Sequence, residues 1–290
     1  MNEFNPSVAN FYRHSGKAPL LGLLIIGATG FIAIPILGLI YGYLIFYIPF
    51  IIINFFIVIG YLAIISVVLN KAAVSGKIRN SFVIGITGFG FGLLAEYVGW
   101  VAWIAALVKD PSFLFEFLFP QDVIKMIIAI GEVGVWSFRG ATPSGAFLYF
   151  IWLLEAIMVV GGITYLTLKA FSDIPFCEDS EVWANKKSTL AVFAPLTNPD
   201  QFKASILQGG ISAFNEIKPI QSGSAFTMLE LYECEVCKNF FVLNVKDVKI
   251  SFDRKGRQNR TEKMIVKHLI LTPSTLSTLK RTIEEKAPQA

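Results

Sequence analysis

Residues 18–70 read APLLGLLIIGATGFIAIPILGLIYGYLIFYIPFIIINFFIVIGYLAIISVVLN, 53 positions without one Asp, Glu, Lys or Arg. A helix needs about 20 apolar residues to cross about 30 Å of hydrocarbon. This run is therefore long enough for two crossings and the turn between them, predicted over 20–41 and 50–69. Tyr41, Tyr43, Phe46 and Tyr47 fall in the predicted turn, where tyrosines favour the headgroup level. Pro49 suits the first position of the second helix. Pro35 falls inside the first helix and is expected to kink it.

The rest of the chain follows from that stretch. Only 16% of all 290 residues are charged, against roughly 25% in soluble domains. A third apolar run spans 81–108 with one charge, Glu96, and a fourth spans 144–168 with one charge, Glu155. The polar start MNEFNPSVANFYRHSGK has no signal-peptide pattern, so the first helix reads as an uncleaved anchor. The fold class expected is an α-helical integral membrane protein with four transmembrane helices and a small cytoplasmic α+β domain. Its parts are an interfacial N-terminus (1–19), the four-helix region (20–171, with an outer loop at 109–143) and the soluble tail (172–290).

Lys and Arg near helix ends set orientation. Arg13 and Lys17 precede the first helix, Lys71, Lys77 and Arg79 crowd the second connection, and Lys169 follows the fourth helix. The first turn has none. The pattern predicts both termini in the cytoplasm, with Arg13, Lys17, Lys71, Lys77 and Arg79 against lipid headgroups. In the outer loop, residues 120–131 start with Pro-Gln-Asp and place Val123, Ile124, Ile127 and Ile128 on one helical face. They read as a short amphipathic helix on the membrane surface, or as the lid of a pore.

The tail carries 16 Lys and Arg against 14 Asp and Glu, a balance that disfavours a nucleic-acid surface. Its pattern predicts a helix over 199–208, strands at 225–233, 240–252 and 262–271 with a slip near Lys246, a turn at 253–260 (DRKGRQNR), and a last helix from 273 to 285. All three cysteines lie here. Residues 232–241, YECEVCKNFF, carry Cys234 and Cys237 at the spacing of a zinc knuckle. Residues 176–183, FCEDSEVW, carry Cys177, with Ser180 where a second cysteine would complete another such half. In a cytoplasmic tail a disulfide is disfavoured. Zinc is the cofactor to consider, with Cys177, Cys234 and Cys237 as ligands and Asp179, Glu178 or His268 as the fourth. The alternatives are a relic site held by packing and thiol redox chemistry, for which the βαβ context is missing.

Six features together, FYRHSGKAPLLG, the paired helices with YIPF between them, the basic loop KIRN, the Trp-containing outer loop, the IWLLEA helix and the PFCE…CxxC tail, resemble a group of uncharacterised bacterial inner-membrane proteins, which implies a bacterial inner membrane as the location. The resemblance implies a zinc-ribbon-type tail built from two CxxC halves. Ser180 breaks the first half here, so the tail reads as a degenerate zinc ribbon. The resemblance implies no activity.

Carboxyls in hydrocarbon cost roughly 3 kcal/mol each and are functional suspects. Glu96 and Glu155 fall at similar depths, so they can meet. They are either hydrogen-bonded structural carboxyls or part of an ion or proton path. Glu96 shares a face with Gly88, Gly92 and Gly99, which favours close helix approach and a homo-oligomer. The chain lacks HExxH, a phosphate-binding glycine loop and a nucleophile elbow. The leading expectation is a non-catalytic membrane protein whose cytoplasmic domain binds a protein partner or senses a signal; the alternative is an oligomeric ion or proton channel or transporter.

Overall fold

The computed structural model describes residues 10–48, 50–134, 142–171, 174–220 and 223–286. Pro49 and the expected tail boundary at Ser172 lie outside them. The chain divides into two compact units, one helical and one built on a sheet.

The helical unit contains α1 (Leu20–Tyr47), α2 (Ile51–Ser75), α3 (Ser81–Val108), α4 (Pro120–Val133), α5 (Gly145–Ala156) and α6 (Gly162–Phe171). Four spans, α1, α2, α3 and the stretch Gly145–Ala170 through α5 and α6, are long and apolar enough to cross a membrane. Their outward faces are apolar: Leu24 is 61% exposed, Phe56 65% and Ile52 71%.

Helix α1 runs one and a half turns beyond the expected end at residue 41. Nothing breaks it before Pro49, and Ile48 takes the extended backbone (φ −109°) that a residue before proline prefers. The expected turn tyrosines are thereby helical, and Tyr41 is buried. The helix continues through Pro35.

The buried stripe of α1 is Gly22, Ile26, Gly30, Ile34, Gly38, Tyr41 and Gly42. The α3 glycines are also consumed inside the chain. A Cβ on Gly92 would stand 3.0 Å from Val160 Cα, one on Gly88 3.2 Å from Thr164 Cα, and one on Gly99 3.0 Å from the Tyr41 ring. Gly88, Gly92 and Gly99 thus pack closely against neighbouring segments of the same chain.

Helix α4 forms where expected, with Pro120 at its first turn and Asp122 near its N-terminus, where an acid meets the helix dipole. Only part of its apolar set faces inward. Val123 and Ile130 are buried beside Val101 and Ile104 of α3, with Ile127 packed against them, whereas Ile124 and Ile128 are exposed.

Arg79 departs from the expected headgroup contact. It is buried, its Nε donates to Ser15 Oγ (3.3 Å) and its Nη1 to the Lys77 carbonyl (3.1 Å). Its backbone also pairs with Lys17 and Gly16, which turns the guanidinium into protein. Arg13, Lys17 and Lys71 are exposed and Lys77 is half-buried.

The sheet unit holds β3 (Lys186–Phe193), β4 (Ala225–Glu233), β5 (Phe241–Phe252) and β6 (Gln258–Leu271) in one antiparallel meander, order β3-β4-β5-β6. A separate hairpin joins β1 (Phe176–Cys177) to β2 (Val182–Trp183). Helices α7 (Pro199–Gly209) and α8 (Pro273–Lys286) pack on one sheet face. Both start on side-chain caps, Asn198 accepting from Gln201 N (3.1 Å) and Thr272 from Thr275 N (3.1 Å). The slip expected near Lys246 is real: β6 carries extra residues opposite 243–246, and there His268 takes φ +62° while its N–H donates to buried Asn244 (2.7 Å).

Strand β3 escaped the sequence reading because KKSTLAVF shows charges first and apolar residues only at its end. Instead of resting at an interface, Asn10 to Tyr12 pair with the free edge of β6: Ile270 N donates to Asn10 O (2.8 Å) and Tyr12 N to His268 O (2.7 Å). An unpaired sheet edge favours such cover.

The core gathers Leu229, Leu231, Leu243, Val245, Val266 and Leu276 beneath the helices. Leu229 is 0% exposed. Leu229→Ala is expected to cost about 2–5 kcal/mol, the range for buried leucine truncation, read as a lowered denaturant midpoint of the sheet unit.

Candidate metal centre and a carboxyl pair among the apolar helices

Two tight turns bring the cysteines together. In the first, Phe176 pairs with Trp183 and Cys177 with Val182, so residues 178–181 form the tip. In the second, Glu233 pairs with Phe241, Cys234 N donates to Phe240 O (3.1 Å) and Lys238 N to Cys234 O (3.0 Å). The turns have matching shapes. Each places a left-handed residue directly after the fourth motif position, Glu181 (φ +52°) after Ser180 and Lys238 (φ +54°) after Cys237. Side chains other than Gly, Asn and Asp seldom adopt that conformation, so the coincidence marks two copies of one turn.

The ligand atoms of Cys177, Cys234 and Cys237 all lie within 4.8 Å of one another, and Cys177 Sγ is 3.5 Å from Cys237 Sγ. Tetrahedral zinc with Zn–S bonds of about 2.3 Å spaces its sulfurs by about 3.8 Å. The three thiols thus form a group able to hold a metal. Asp179, Glu178 and His268, weighed as the fourth ligand, do not join it among the described residues. Asp179 is exposed on the turn, and the His268 ring lies edge-on to Tyr12 at 5.8 Å. Ser180 lies beside the group and hydrogen-bonds to both Cys177 and Cys237.

The thiols are unequal acids. Burial and the hydrogen bonds with Cys237 and Cys234 push Cys177 up to about 11, against the pull of Ser180. Burial also raises Cys237, but bonds from the Asn239 backbone, Cys234, Cys177 and Ser180 outweigh it and hold it at about 7. Cys237 becomes a thiolate, the form that binds metal, before Cys177 does.

A second cluster lies among the apolar helices. Tyr41 on α1 donates its hydroxyl to Glu155 Oε1 on α5. The Tyr41 ring stacks on Tyr61 of α2 at 4.2 Å, and Tyr61 donates to the Ala95 carbonyl of α3 (2.9 Å). Glu96 accepts from Trp100 Nε1 (3.0 Å). Both glutamates and Tyr41 line one cavity of about 1420 Å³, and each carboxyl is within electrostatic reach of the other. The fourth apolar span is not a continuous α-helix, because Ile157–Gly161, two residues beyond Glu155, winds as a π-helix. Such bulges concentrate at functional sites.

The glutamates were visible in the sequence. Tyr41 and Tyr61 were not, although a hydroxyl in an uncharged run calls for an acceptor. No protein family, no curated protein and no solved structure matches the chain.

Proposed function

We propose that this chain is a non-catalytic, multi-pass protein of a bacterial inner membrane, whose cytoplasmic sheet domain, stapled by one zinc ion, binds a protein partner. The matched turns carry this reading. They converge three thiols and one hydroxyl on a single point, as a zinc ribbon would with one thiolate replaced. Three thiolates favour zinc over hard cations. Cys177, Cys234 and Cys237 hold the ion, and Ser180 or a water beside it closes the tetrahedron. The ion stiffens the junction of two hairpins and does no chemistry.

Placement in a membrane is supported by the four apolar spans with their exposed Leu, Ile and Phe, since water-soluble monomers rarely expose large contiguous apolar patches. Lys17, Lys71, Lys77 and Lys169 flank the span ends that would face the cytoplasm, where they and Arg13 meet anionic headgroups. The order of parts supports kinship with the uncharacterised bacterial group that shares them. Two measurements test the reading: retention of the chain in membranes washed at alkaline pH, and zinc in the purified chain. Release from the membrane, or a chain without zinc, contradicts it.

A second reading is favoured by one observation, the carboxyl pair at a common cavity beside a π-helix. In it the chain is an oligomeric ion or proton conduit through Glu96 and Glu155. The double substitution Glu96→Gln, Glu155→Gln then abolishes dye-reported proton flux in liposomes while leaving a scaffold intact. Equal flux in wild type and double variant rules the conduit out.

A further inference from the structure

The cavity between α1, α2, α3 and α5 poses an unanswered charge problem. Its lining holds two carboxyls, Glu96 and Glu155, but no Lys, Arg or His among the described residues. Each carboxyl takes one protein hydrogen bond, from Trp100 and from Tyr41. A third acceptor lines the same space: Asn54 Oδ1 is buried and has no hydrogen-bond partner among the described residues. A buried acceptor left unpaired costs about 1–3 kcal/mol. A cation carrying N–H groups would offer these acceptors both donors and a balancing charge.

The remaining wall is apolar and aromatic. Trp100 meets Trp152 edge-on at 4.8 Å and Trp103 at 5.5 Å, and all three line the cavity. Tryptophan faces attract cations more strongly than other rings do. Phe50, Ile51, Ile52 and Phe147 also line it and are more than 60% exposed, so its mouth opens on the apolar flank of the helices.

Size and donor type decide which cation fits. Calcium takes six to eight oxygens at 2.3–2.6 Å. This cavity's side-chain oxygens come from Tyr41, Asn54, Glu96 and Glu155, with the Tyr41 hydroxyl already bonded to Glu155, and they are spread through about 1420 Å³ of mostly apolar space. Drug-sized ligands occupy pockets of about 300–1,000 Å³ lined by apolar and aromatic groups with few polar ones. We propose that this cavity binds a hydrophobic organic ammonium ion, its N–H groups on Glu155 and Glu96 and its apolar body among Trp100, Trp103 and Trp152. The site rests on the reading of these helices as membrane spans, which lets the ligand arrive through lipid.

The test uses the full chain in uncharged-lipid nanodiscs, with 9-aminoacridine as the cationic probe and acridine as the neutral probe of the same shape, both at pH 7.5. The expected result is one 9-aminoacridine bound per chain, at least about tenfold tighter than acridine. Glu155→Gln should remove that preference and leave acridine binding unchanged. Glu96→Gln, which leaves the Tyr41–Glu155 bond in place, should weaken the cation in the same way. Equal binding of the two probes, or a preference that survives both substitutions, overturns the proposal. A chain that leaves the membrane in an alkaline wash overturns the span reading and the site together, whereas a retained chain that binds both probes alike overturns the site alone.

Discussion

Cys234→Ala is expected to lower bound zinc from about one per chain to none and to loosen both hairpins of the sheet unit at once. Cys234 is fully buried, and its turn provides two of the three thiols. Structural zinc contributes about 10–16 kcal/mol in peptides that fold only with metal. The sheet unit has its own apolar core under α7 and α8, so it keeps part of its structure and loses several kcal/mol. The loss should appear as early hydrogen exchange at Phe176–Trp183 and around Cys237, with the core strands β4 and β5 opening later. Ser180→Cys moves the other way. A fourth thiolate at the corner already bonded to Cys177 and Cys237 should slow zinc loss to a chelator at least about tenfold. A Cys234→Ala chain that keeps its zinc, or a Ser180→Cys chain that loses it no more slowly, contradicts the assignment.

The second large effect is expected at Gly42. A Cβ there would lie 2.6 Å from Ala102 Cβ, 2.7 Å from the Gly99 carbonyl oxygen and 2.7 Å from Trp103 N. Two of those neighbours are backbone atoms of α3 and cannot rotate away. Gly42→Leu must therefore push α1 off α3, at about 3 kcal/mol or more, the upper end of overpacking costs. The expected result is almost no monodisperse protein by size-exclusion chromatography. Gly27→Leu and Gly90→Leu are the controls, because a Cβ at either position meets nothing within 4 Å. Normal recovery of Gly42→Leu, or equal loss in the controls, contradicts the packing of α1 on α3.

The apolar spans were legible because an uncharged run leaves few physical alternatives. Their ends were less so. The reading ended α1 at Tyr41 by weighting the headgroup preference of tyrosine, whereas the helix persists until the residue before Pro49. The Gly22, Gly30, Gly38 and Gly42 stripe of α1 is written in four- and eight-residue intervals and marks the face that packs within the chain. In the tail, strands with clear alternation (β4, β5) were readable, and the charged start of β3 hid it. Pairing of Asn10 to Tyr12 with β6 joins residues more than 250 positions apart, and local sequence carries no trace of that.

The candidate sites divide in the same way. Spacing alone identified Cys234 and Cys237 as a turn pair, and Ser180 as a missing partner. That Ser180 hydrogen-bonds to both Cys177 and Cys237, in a turn where Glu181 is left-handed, is not announced by a single sequence. The carboxyls stood out as charges in apolar runs, while Tyr41 bonding to Glu155 required the packing of α1 beside α5.

The most direct measurement is zinc content and zinc-edge X-ray absorption on the purified full-length chain. The account predicts about one zinc per chain, with three sulfurs at about 2.3 Å and one oxygen at about 2.0–2.2 Å. A chain free of zinc, with three cysteines that all react with a thiol reagent in the folded state, would contradict it.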